Sequence, residues 1–250
     1  MQNKINLNQI LKKIPHNAAV TVQWLKEQGI SGSLIHAYKK NGWLKSFGAG
    51  VYSKLNDTVD LDGALYALQN QLNLSFHIGG ISALSRQGIN HNISFNRKIY
   101  IYGRRGEKLP KWFHEKFNNG IEVIKTEFLP KNTGLIDSGS KDFTVKISSQ
   151  ERAVLEMIYL TPDKNSLNEV YQLMELLSVL HSNLLQELLE NCTNIKVKRI
   201  FLYIAEKLNY PWFSRLDIQR IDLGSGKRII EKGGRLNKKY NIVIGNIEEI

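Results

Sequence analysis

Residues 18–54 constrain the fold of this chain more than any other stretch, because glycines interrupt helical periodicity there at short intervals. Apolar residues three and four positions apart predict a helix over residues 18–28. Gly29 would end that helix, since glycine adopts the left-handed backbone conformation without strain. Ser31 is suited to cap a second helix, which the next glycine, Gly42, would end. Two helices joined by a tight turn are therefore predicted.

A hairpin is predicted directly after these two helices. Residues 43–46 and 51–54 have the length of short strands, and residues 47–50 supply a turn with two glycines. A leading helix over residues 3–14 would end before Pro15. The order of elements predicts a winged helix-turn-helix, in which the second helix enters the major groove and the hairpin approaches the DNA backbone.

The charge distribution favours a polyanionic ligand for this part of the chain. Residues 1–56 hold eight lysines and one acid, a net charge of +7 out of +11 for the whole chain. Clustered cations favour DNA because each neutralised phosphate releases counterions. The alternatives are a solvated basic face without a ligand, and a winged helix that binds protein.

The remainder of the chain predicts a second, larger domain. The polar stretch at residues 56–60 marks a boundary, which gives predicted domains at residues 1–56 and 57–250. The predicted fold class is α+β, with an N-terminal winged helix-turn-helix domain followed by a larger mixed α/β C-terminal domain. Strands and short helices alternate up to residue 147, with a loop at 132–142, and residues 148–209 are predicted to be helical. Within that stretch, Ser166 is predicted to begin a helix, and an apolar stripe predicts another helix over residues 195–208. Strands are predicted again at 218–223, 228–231 and 240–244.

Charge is uneven in the second domain as well. Residues 148–194 carry two bases and seven acids, a net charge of −5, whereas residues 195–239 carry twelve bases and four acids, a net charge of +8. The basic region is expected to bind nucleic acid or an acidic protein, or to pair internally with the acidic helices. The sequence leaves these alternatives open.

Sequence signals for catalysis, metal binding or membrane insertion are missing. No apolar run approaches 18 residues, and the N-terminus lacks the features of a signal peptide. Cys192 is the only cysteine, and the six histidines have no ligand spacing, so neither a disulfide nor a zinc site is expected. The glycine stretch at 224–228 lacks the glycine and the Ser or Thr of a phosphate loop, because Ile221 and Arg228 stand there, and a glycine turn in a basic hairpin is predicted instead. We therefore expect a soluble cytoplasmic protein that is not an enzyme and has no cofactor.

The chain resembles the AbiEi family of antitoxins from abortive-infection, type IV toxin–antitoxin systems. The N-terminal resemblance lies in QWLKEQGISGSLIHAYKKNGWL followed by GAGVY, and the central resemblance in ALYALQNQLNLSFHIGGISAL and KIYIYG. The C-terminal resemblance lies in SSQERAVLEMIYL, VKRIFLYIAEKLNYPWF and DLGSGKRIIEKGG. No single motif is specific, but their order covers nearly the whole chain.

This resemblance implies an antitoxin that represses its own operon through the N-terminal domain, on operator DNA with inverted repeats that two monomers would occupy. It implies that the C-terminal domain counteracts a nucleotidyltransferase toxin, directly or indirectly. The DNA-binding positions would be Ser31, Ser33, His36, Lys39 and Lys40 of the second helix, with Lys45 and Lys54 on the hairpin. A second basic face would comprise Lys196, Lys198, Arg199, Lys227 and Arg228.

Two other functions stay open. The predicted recognition helix contains no arginine, the side chain that most often reads guanine edges. A winged module that binds protein instead of DNA is therefore one alternative. A nucleic-acid-processing enzyme is the other, because the second domain is predicted to have a mixed α/β layer with a basic face, although no acidic residues stand at metal-binding spacing.

Overall fold

The N-terminal elements follow the predicted order, and a computed structural model describes them together with the rest of the chain at residues 7–90, 98–245 and 247. The N-terminal elements are α1 (Leu7–Lys13), β1 (Val20–Thr21), α2 (Val22–Glu27), α3 (Gly32–Lys40), β2 (Leu44–Gly48) and β3 (Val51–Lys54). The strands form a sheet of order β1-β3-β2. This arrangement confirms the winged helix-turn-helix. The first residues of the predicted leading helix lie outside the described residues.

The prediction for the start of α2 is wrong, because Val20 and Thr21 are a strand and not a helical turn. Val20 pairs with Tyr52 and Thr21 pairs with Val51 in the antiparallel ladder of β1 and β3. The Thr21 side chain then accepts a hydrogen bond from the Trp24 N–H at 3.1 Å, which caps α2. A threonine that caps a helix sits in extended backbone, so the strand and the cap agree.

A cluster of buried apolar side chains holds the winged module together. It takes residues from α1, β1, α2, the turn that follows α2, α3 and β2, namely Ile10, Ile14, Val20, Leu25, Ile30, Ile35, Tyr38 and Leu44. Full burial of such a side chain contributes about 1.5–3 kcal/mol. These side chains come from helices, strands and a turn of the module and form one shared interior.

The elements after residue 56 are helices with short strands between them. The helices are α4 (Leu61–Tyr66), α5 (Gly80–Arg86), α6 (Lys111–Phe117), α7 (Gln150–Tyr159), α8 (Leu167–Glu175), α9 (Ser182–Glu190) and α10 (Ile195–Leu208). The strands are β4 (His77–Ile78), β5 (Ile99–Gly103), β6 (Ile121–Lys125), β7 (Leu135–Gly139), β8 (Thr144–Ser148), β9 (Arg228–Ile229), β10 (Arg235–Asn237) and β11 (Ile242–Ile244). One sheet has the order β6-β5-β4-β8-β7 and another the order β10-β11-β9. The mixture of helices and strands confirms the α+β class.

The chain divides into two compact units. Unit 1 comprises the described residues of Met1–His77, Gly103–Val123 and Asp137–Lys146. Unit 2 comprises those of Ile78–Tyr102, Ile124–Ile136 and Ile147–Ile250.

Within unit 1, packing of the winged module continues past residue 56. The buried Gln71, in the π-helical turn that follows α4, accepts a hydrogen bond from the Thr21 N–H at 2.8 Å. Its side-chain amide donates to the Ala19 carbonyl at 3.0 Å. Gly63 lies so close to the Asn17 carbonyl that a Cβ there would collide with it. The boundary at residue 56 stays a prediction.

Two further strands, besides β1, were missed in the sequence analysis. The prediction of a loop over 132–142 is wrong because it contains β7, an edge strand without apolar alternation. In unit 1, Asp137 of β7 accepts hydrogen bonds from the Thr144 hydroxyl at 3.1 Å and the Lys146 ammonium at 2.8 Å. β10 was missed for the same reason, since two of its three residues are polar.

The C-terminal strand predictions are partly wrong. Residues 218–223 do not form a strand, because Ile218–Arg220 is a 3₁₀ turn that the Asp217 side chain starts by accepting from the Gln219 N–H at 3.1 Å. The predicted strands at 228–231 and 240–244 correspond to the shorter β9 and β11. β9 pairs with β11 in parallel, so the turn at 224–226 is not part of a hairpin.

A buried carboxylate joins several elements inside unit 2. Glu156 of α7, which is 1% exposed, accepts hydrogen bonds from the Gly80 N–H at 3.0 Å and the Ser148 hydroxyl at 2.7 Å. Its other oxygen accepts from Nε of Arg152, one turn earlier, at 2.8 Å. The Tyr102 hydroxyl donates to the Glu156 backbone carbonyl at 2.9 Å. A buried charge needs such partners, because leaving it unpaired costs several kcal/mol.

The cysteine is predicted to be unreactive in the folded protein. Cys192 is 3% exposed, and burial raises the pKa of its thiol to about 11. Because the thiolate is the reacting species, a disulfide reagent such as DTNB at about pH 8 should modify the native chain at least tenfold more slowly than the guanidinium-unfolded chain. Equal rates in the two states would contradict the buried position.

Candidate nucleic-acid interface

α3 presents a polar side to solvent and an apolar side to the interior of unit 1. Ile35 and Tyr38 are buried, whereas Ser33, His36, Lys39 and Lys40 are exposed. The exposed residues are three, four or seven positions apart, or next to each other, so they share one broad side of the helix. The structure therefore brings together four of the five positions that the sequence analysis assigned to this helix.

The fifth position, Ser31, has a local structural role. It is the N-cap of α3, and its hydroxyl accepts from the Leu34 N–H at 3.3 Å. The same oxygen lies 2.9 Å from the Ser33 hydroxyl. A capping side chain is committed to the backbone of its own helix, so Ser31 orients the start of α3.

The turn between α2 and α3 has the geometry that the glycine predicted. Gly29 has a φ of 83°, in the left-handed region. The Gly29 N–H donates to the Lys26 carbonyl at 2.9 Å, and the Ile30 N–H donates to the Leu25 carbonyl at 3.0 Å. These bonds close the end of α2 and fix where α3 begins.

The two hairpin lysines do not share a surface. Lys45 pairs with Ser53 and Lys54 pairs with Leu44 in the ladder of β2 and β3. These are successive pairs, so the side chains of Lys45 and Lys54 leave opposite faces of the hairpin. Both lysines therefore lie on the hairpin, as predicted, but on its two faces.

The turn of the hairpin carries no cation and is tied to the module. The Gly50 carbonyl accepts from the Val22 N–H at 2.9 Å, at the start of α2. Phe47, just before the turn, packs edge-on against Trp112 of α6 with ring centroids 5.9 Å apart. Lys116 lies 5.5 Å from the centre of the Phe47 ring. No sequence signal pointed to α6 as a support for the hairpin.

The predicted second basic face is wrong in two of its five residues. Lys198 and Arg199 are each only 2% exposed. The Arg199 guanidinium donates to four backbone carbonyls, those of Leu223 at 2.8 Å, Gly224 at 3.0 Å, Gly226 at 2.6 Å and Asn241 at 3.1 Å. Other elements cover more of the α10 surface than its apolar stripe alone predicted. The Arg199 side chain therefore lies in the interior, where it holds backbone segments together through hydrogen bonds.

Lys196 also serves the interior of unit 2. Its ammonium group donates to the Tyr159 carbonyl at 3.0 Å and to the Thr161 carbonyl, at the end of α7. Partial burial lowers its pKa. A cation at a helix C-terminus offsets the negative end of the helix dipole.

Some of the basic region pairs internally, as one alternative proposed. Arg220 lies 3.0 Å from Glu190, which belongs to the acidic stretch, and Lys239 pairs with Glu206. The Arg220–Glu190 pair offsets one unit of the +8 charge of residues 195–239, whereas Glu206 is already counted in that sum.

The two remaining residues of the second face come directly before an aliphatic row in the chain, and Arg228 leaves the opposite face of the strand from Ile229. Lys227 and Arg228 are exposed, and the pairing of β9, β11 and β10 aligns Ile229, Val243 and Leu236 across the sheet. Ile229 is 62% exposed and Leu236 is 49% exposed. Contiguous exposed aliphatic side chains are typical of protein contact surfaces, and they offer no aromatic ring for a nucleobase to stack on.

Two further properties of the described residues bear on function. Among residues 7–90, 98–245 and 247, no three His, Cys, Asp or Glu side chains are grouped as metal ligands would be. The helices within these same ranges are too short or too polar to cross a membrane.

Two sequence-family descriptions match the chain and together cover residues 3–245. Residues 3–95 match "Transcriptional regulator, AbiEi antitoxin N-terminal domain", and residues 96–245 match "Transcriptional regulator, AbiEi antitoxin, Type IV TA system". The crystal structure of the RV2827C protein from Mycobacterium tuberculosis is similar, with a TM-score of 0.56 and 14% sequence identity. The alignment covers 90% of this chain and 85% of that chain, and at this identity the similarity concerns the fold alone. No curated protein sequence matches the chain.

Proposed function

Because this chain belongs to the AbiEi antitoxin family of transcriptional regulators in type IV toxin–antitoxin systems, we propose that it represses its own operon by placing α3 in the major groove of operator DNA. The observation that carries the proposal is the exposed side of α3, with Ser33, His36, Lys39 and Lys40 and no acidic residue in the helix. A polar and cationic helix after a tight turn suits the groove, because its donors face base edges and phosphates.

The exposed residues of α3 divide into two roles. Ser33 and His36 lie in the N-terminal half, which approaches base edges in helix-turn-helix proteins. Lys39 and Lys40 lie in the last turn and contact phosphates, where they provide affinity without sequence information. In the absence of an arginine in α3, base discrimination comes from the single hydroxyl and imidazole groups.

The C-terminal part, residues 57–250 in the predicted division, counteracts the nucleotidyltransferase toxin, directly or through a shared target. Family membership supports this role. The aliphatic row of Ile229, Val243 and Leu236, which follows Lys227 and Arg228 in the chain, suits contact with a protein surface. Two copies bind the inverted repeats of one operator, in the cytoplasm.

Loss of the two terminal lysines of α3 should lower the salt dependence of DNA binding. The Lys39→Ala/Lys40→Ala variant removes two phosphate contacts, so the slope of log K against log salt should fall in magnitude by up to about two units. Fluorescence anisotropy with the DNA upstream of the gene, against a scrambled duplex, measures both the slope and the sequence preference.

The matched control is Lys131→Ala/Lys164→Ala, which removes two exposed charges from unit 2. A slope that is the same in both double variants would exclude Lys39 and Lys40 as phosphate contacts. Wild-type binding that neither depends on salt nor prefers the upstream DNA would favour a protein-binding winged module, the alternative that the missing arginine supports.

A further inference from the structure

Unit 1 contains a basic cleft at the opposite end of the hairpin from its turn. The cleft has a volume of about 590 Å³ and lies between the end of α1, the end of β3 and the loop before β8. Its polar and charged lining consists of Lys12, Lys13, His16, Lys54, Lys141 and Asp142. We call it the lysine cleft.

Among the described residues, the lining of the lysine cleft has more positive than negative charge. Four lysines stand against one acid, Asp142, on its lining. The Lys13 ammonium donates to the neutral side chain of Gln28 at 3.1 Å, which leaves the charge in place. Asp57, an acid near His16, is held by the Asn17 N–H at 2.8 Å. Like charges gathered in a concave surface raise the local concentration of an anionic ligand.

The lysine cleft adjoins the end of α3. Lys54 pairs with Leu44, four residues after the last residue of α3. The next residue, Leu55, lies beside Gly42, because a Cβ built on Gly42 would stand 3.6 Å from Leu55 Cδ2. Lys54 therefore stands between the end of α3, which carries Lys39 and Lys40, and the lysines at the end of α1.

We propose that the lysine cleft binds phosphate groups of the operator backbone beyond those that α3 reaches, which makes Lys12, Lys13 and Lys141 a second phosphate-contact region. The inference rests on the proposed DNA-binding function and adds a contact region to it. Lysine ammonium groups bind phosphate as point charges with three donors each. The lining has no Phe, Tyr or Trp ring on which a base could stack, and His16 is its one aromatic side chain. The cleft therefore suits the sugar–phosphate backbone and contributes affinity without sequence preference.

The test is the salt dependence of the Lys12→Gln/Lys13→Gln/Lys141→Gln variant of the full chain. Lys54 is left in place because it is half-buried. If all three lysines contact phosphate, the slope of log K against log salt falls by up to about 2.7 units, and equally on upstream and scrambled duplexes. The control Lys108→Gln/Lys131→Gln/Lys164→Gln removes three exposed charges elsewhere and should leave the slope within a unit of wild type.

Duplex length gives a second measurement that a structural defect would not reproduce. When the upstream duplex is shortened stepwise from each end, its affinity for wild type should fall before the base contacts are removed. The affinity of the cleft variant should not change over the same steps. Thermal unfolding midpoints of the two triple variants establish that both are folded.

Each outcome decides between the cleft and the wider function. An unchanged slope in the cleft variant, with a lower slope in Lys39→Ala/Lys40→Ala, overturns the cleft and leaves the α3 proposal standing. The DNA slope of the cleft variant can equal that of wild type while calorimetry detects binding of inorganic triphosphate to wild type and not to the cleft variant. That combination would overturn the DNA contact and assign the cleft to a free polyphosphate. Absence of salt-dependent DNA binding in wild type overturns both.

Discussion

Replacement of Glu156 with alanine is expected to lower the free energy of unfolding by about 3–5 kcal/mol, because it leaves a buried cation without its carboxylate partner. Arg152 is 6% exposed and would lose the carboxylate 2.8 Å from its Nε. The Gly80 N–H and the Ser148 hydroxyl would lose their acceptor in the same step. Guanidinium unfolding followed by circular dichroism measures the change.

A matched control exists in the same chain. Glu115 also pairs with a cation four residues earlier, Lys111, at 3.6 Å, but both side chains are more than half exposed. Glu115→Ala should cost about 0.5 kcal/mol or less, since exposed pairs of this spacing contribute little. Glu156→Gln keeps one acceptor oxygen and should fall between the two. Similar costs for Glu156→Ala and Glu115→Ala would show that the buried pair does not stabilise unit 2.

Replacement of Arg199 with alanine is expected to cost about 3 kcal/mol and to release the C-terminal strands of unit 2. Each hydrogen bond from a charged donor contributes about 1.5–3 kcal/mol, but the four carbonyls are not independent and some gain water. Arg199→Lys should recover little of the loss, because an ammonium group cannot reproduce the planar fork that reaches Leu223, Gly226 and Asn241 together.

Hydrogen exchange gives the local measurement for this prediction. The amides of residues 242–244 should exchange faster in Arg199→Ala than in wild type, because the strand is held through the Asn241 carbonyl. Arg215→Ala is the control, since Arg215 is exposed in the same unit. Wild-type exchange and stability in Arg199→Ala would mean that the four hydrogen bonds do not hold the strands.

Local signals in the sequence predicted the helical elements well. α8 begins after the Ser166 cap, and α10 spans Ile195–Leu208 as its periodicity indicated. The turn at Gly29 and the cap at Ser31 were also correct. Helix caps, glycine turns and apolar periodicity act within a few residues, so a single sequence displays them directly.

Strands depended on partners that the sequence does not display. β7 has no apolar alternation because it lies at a sheet edge, and β9 became a parallel neighbour of β11 instead of part of a hairpin. Strand pairing joins residues far apart in the chain, and its register decides which side chains share a face. The separation of Lys45 and Lys54 on opposite hairpin faces follows from that register alone.

The sequence by itself determined the winged helix-turn-helix, the family resemblance and the polar side of α3, because these depend on residue order and short-range spacing. Only the tertiary structure decided which cations remain available to a ligand. Arg199 and Lys198 are buried in unit 2, whereas Lys12, Lys13 and Lys141 meet at one cleft in unit 1. The physical reason is that the charge of a side chain is set by its residue type, whereas its exposure and its neighbours are set by the elements that pack against it.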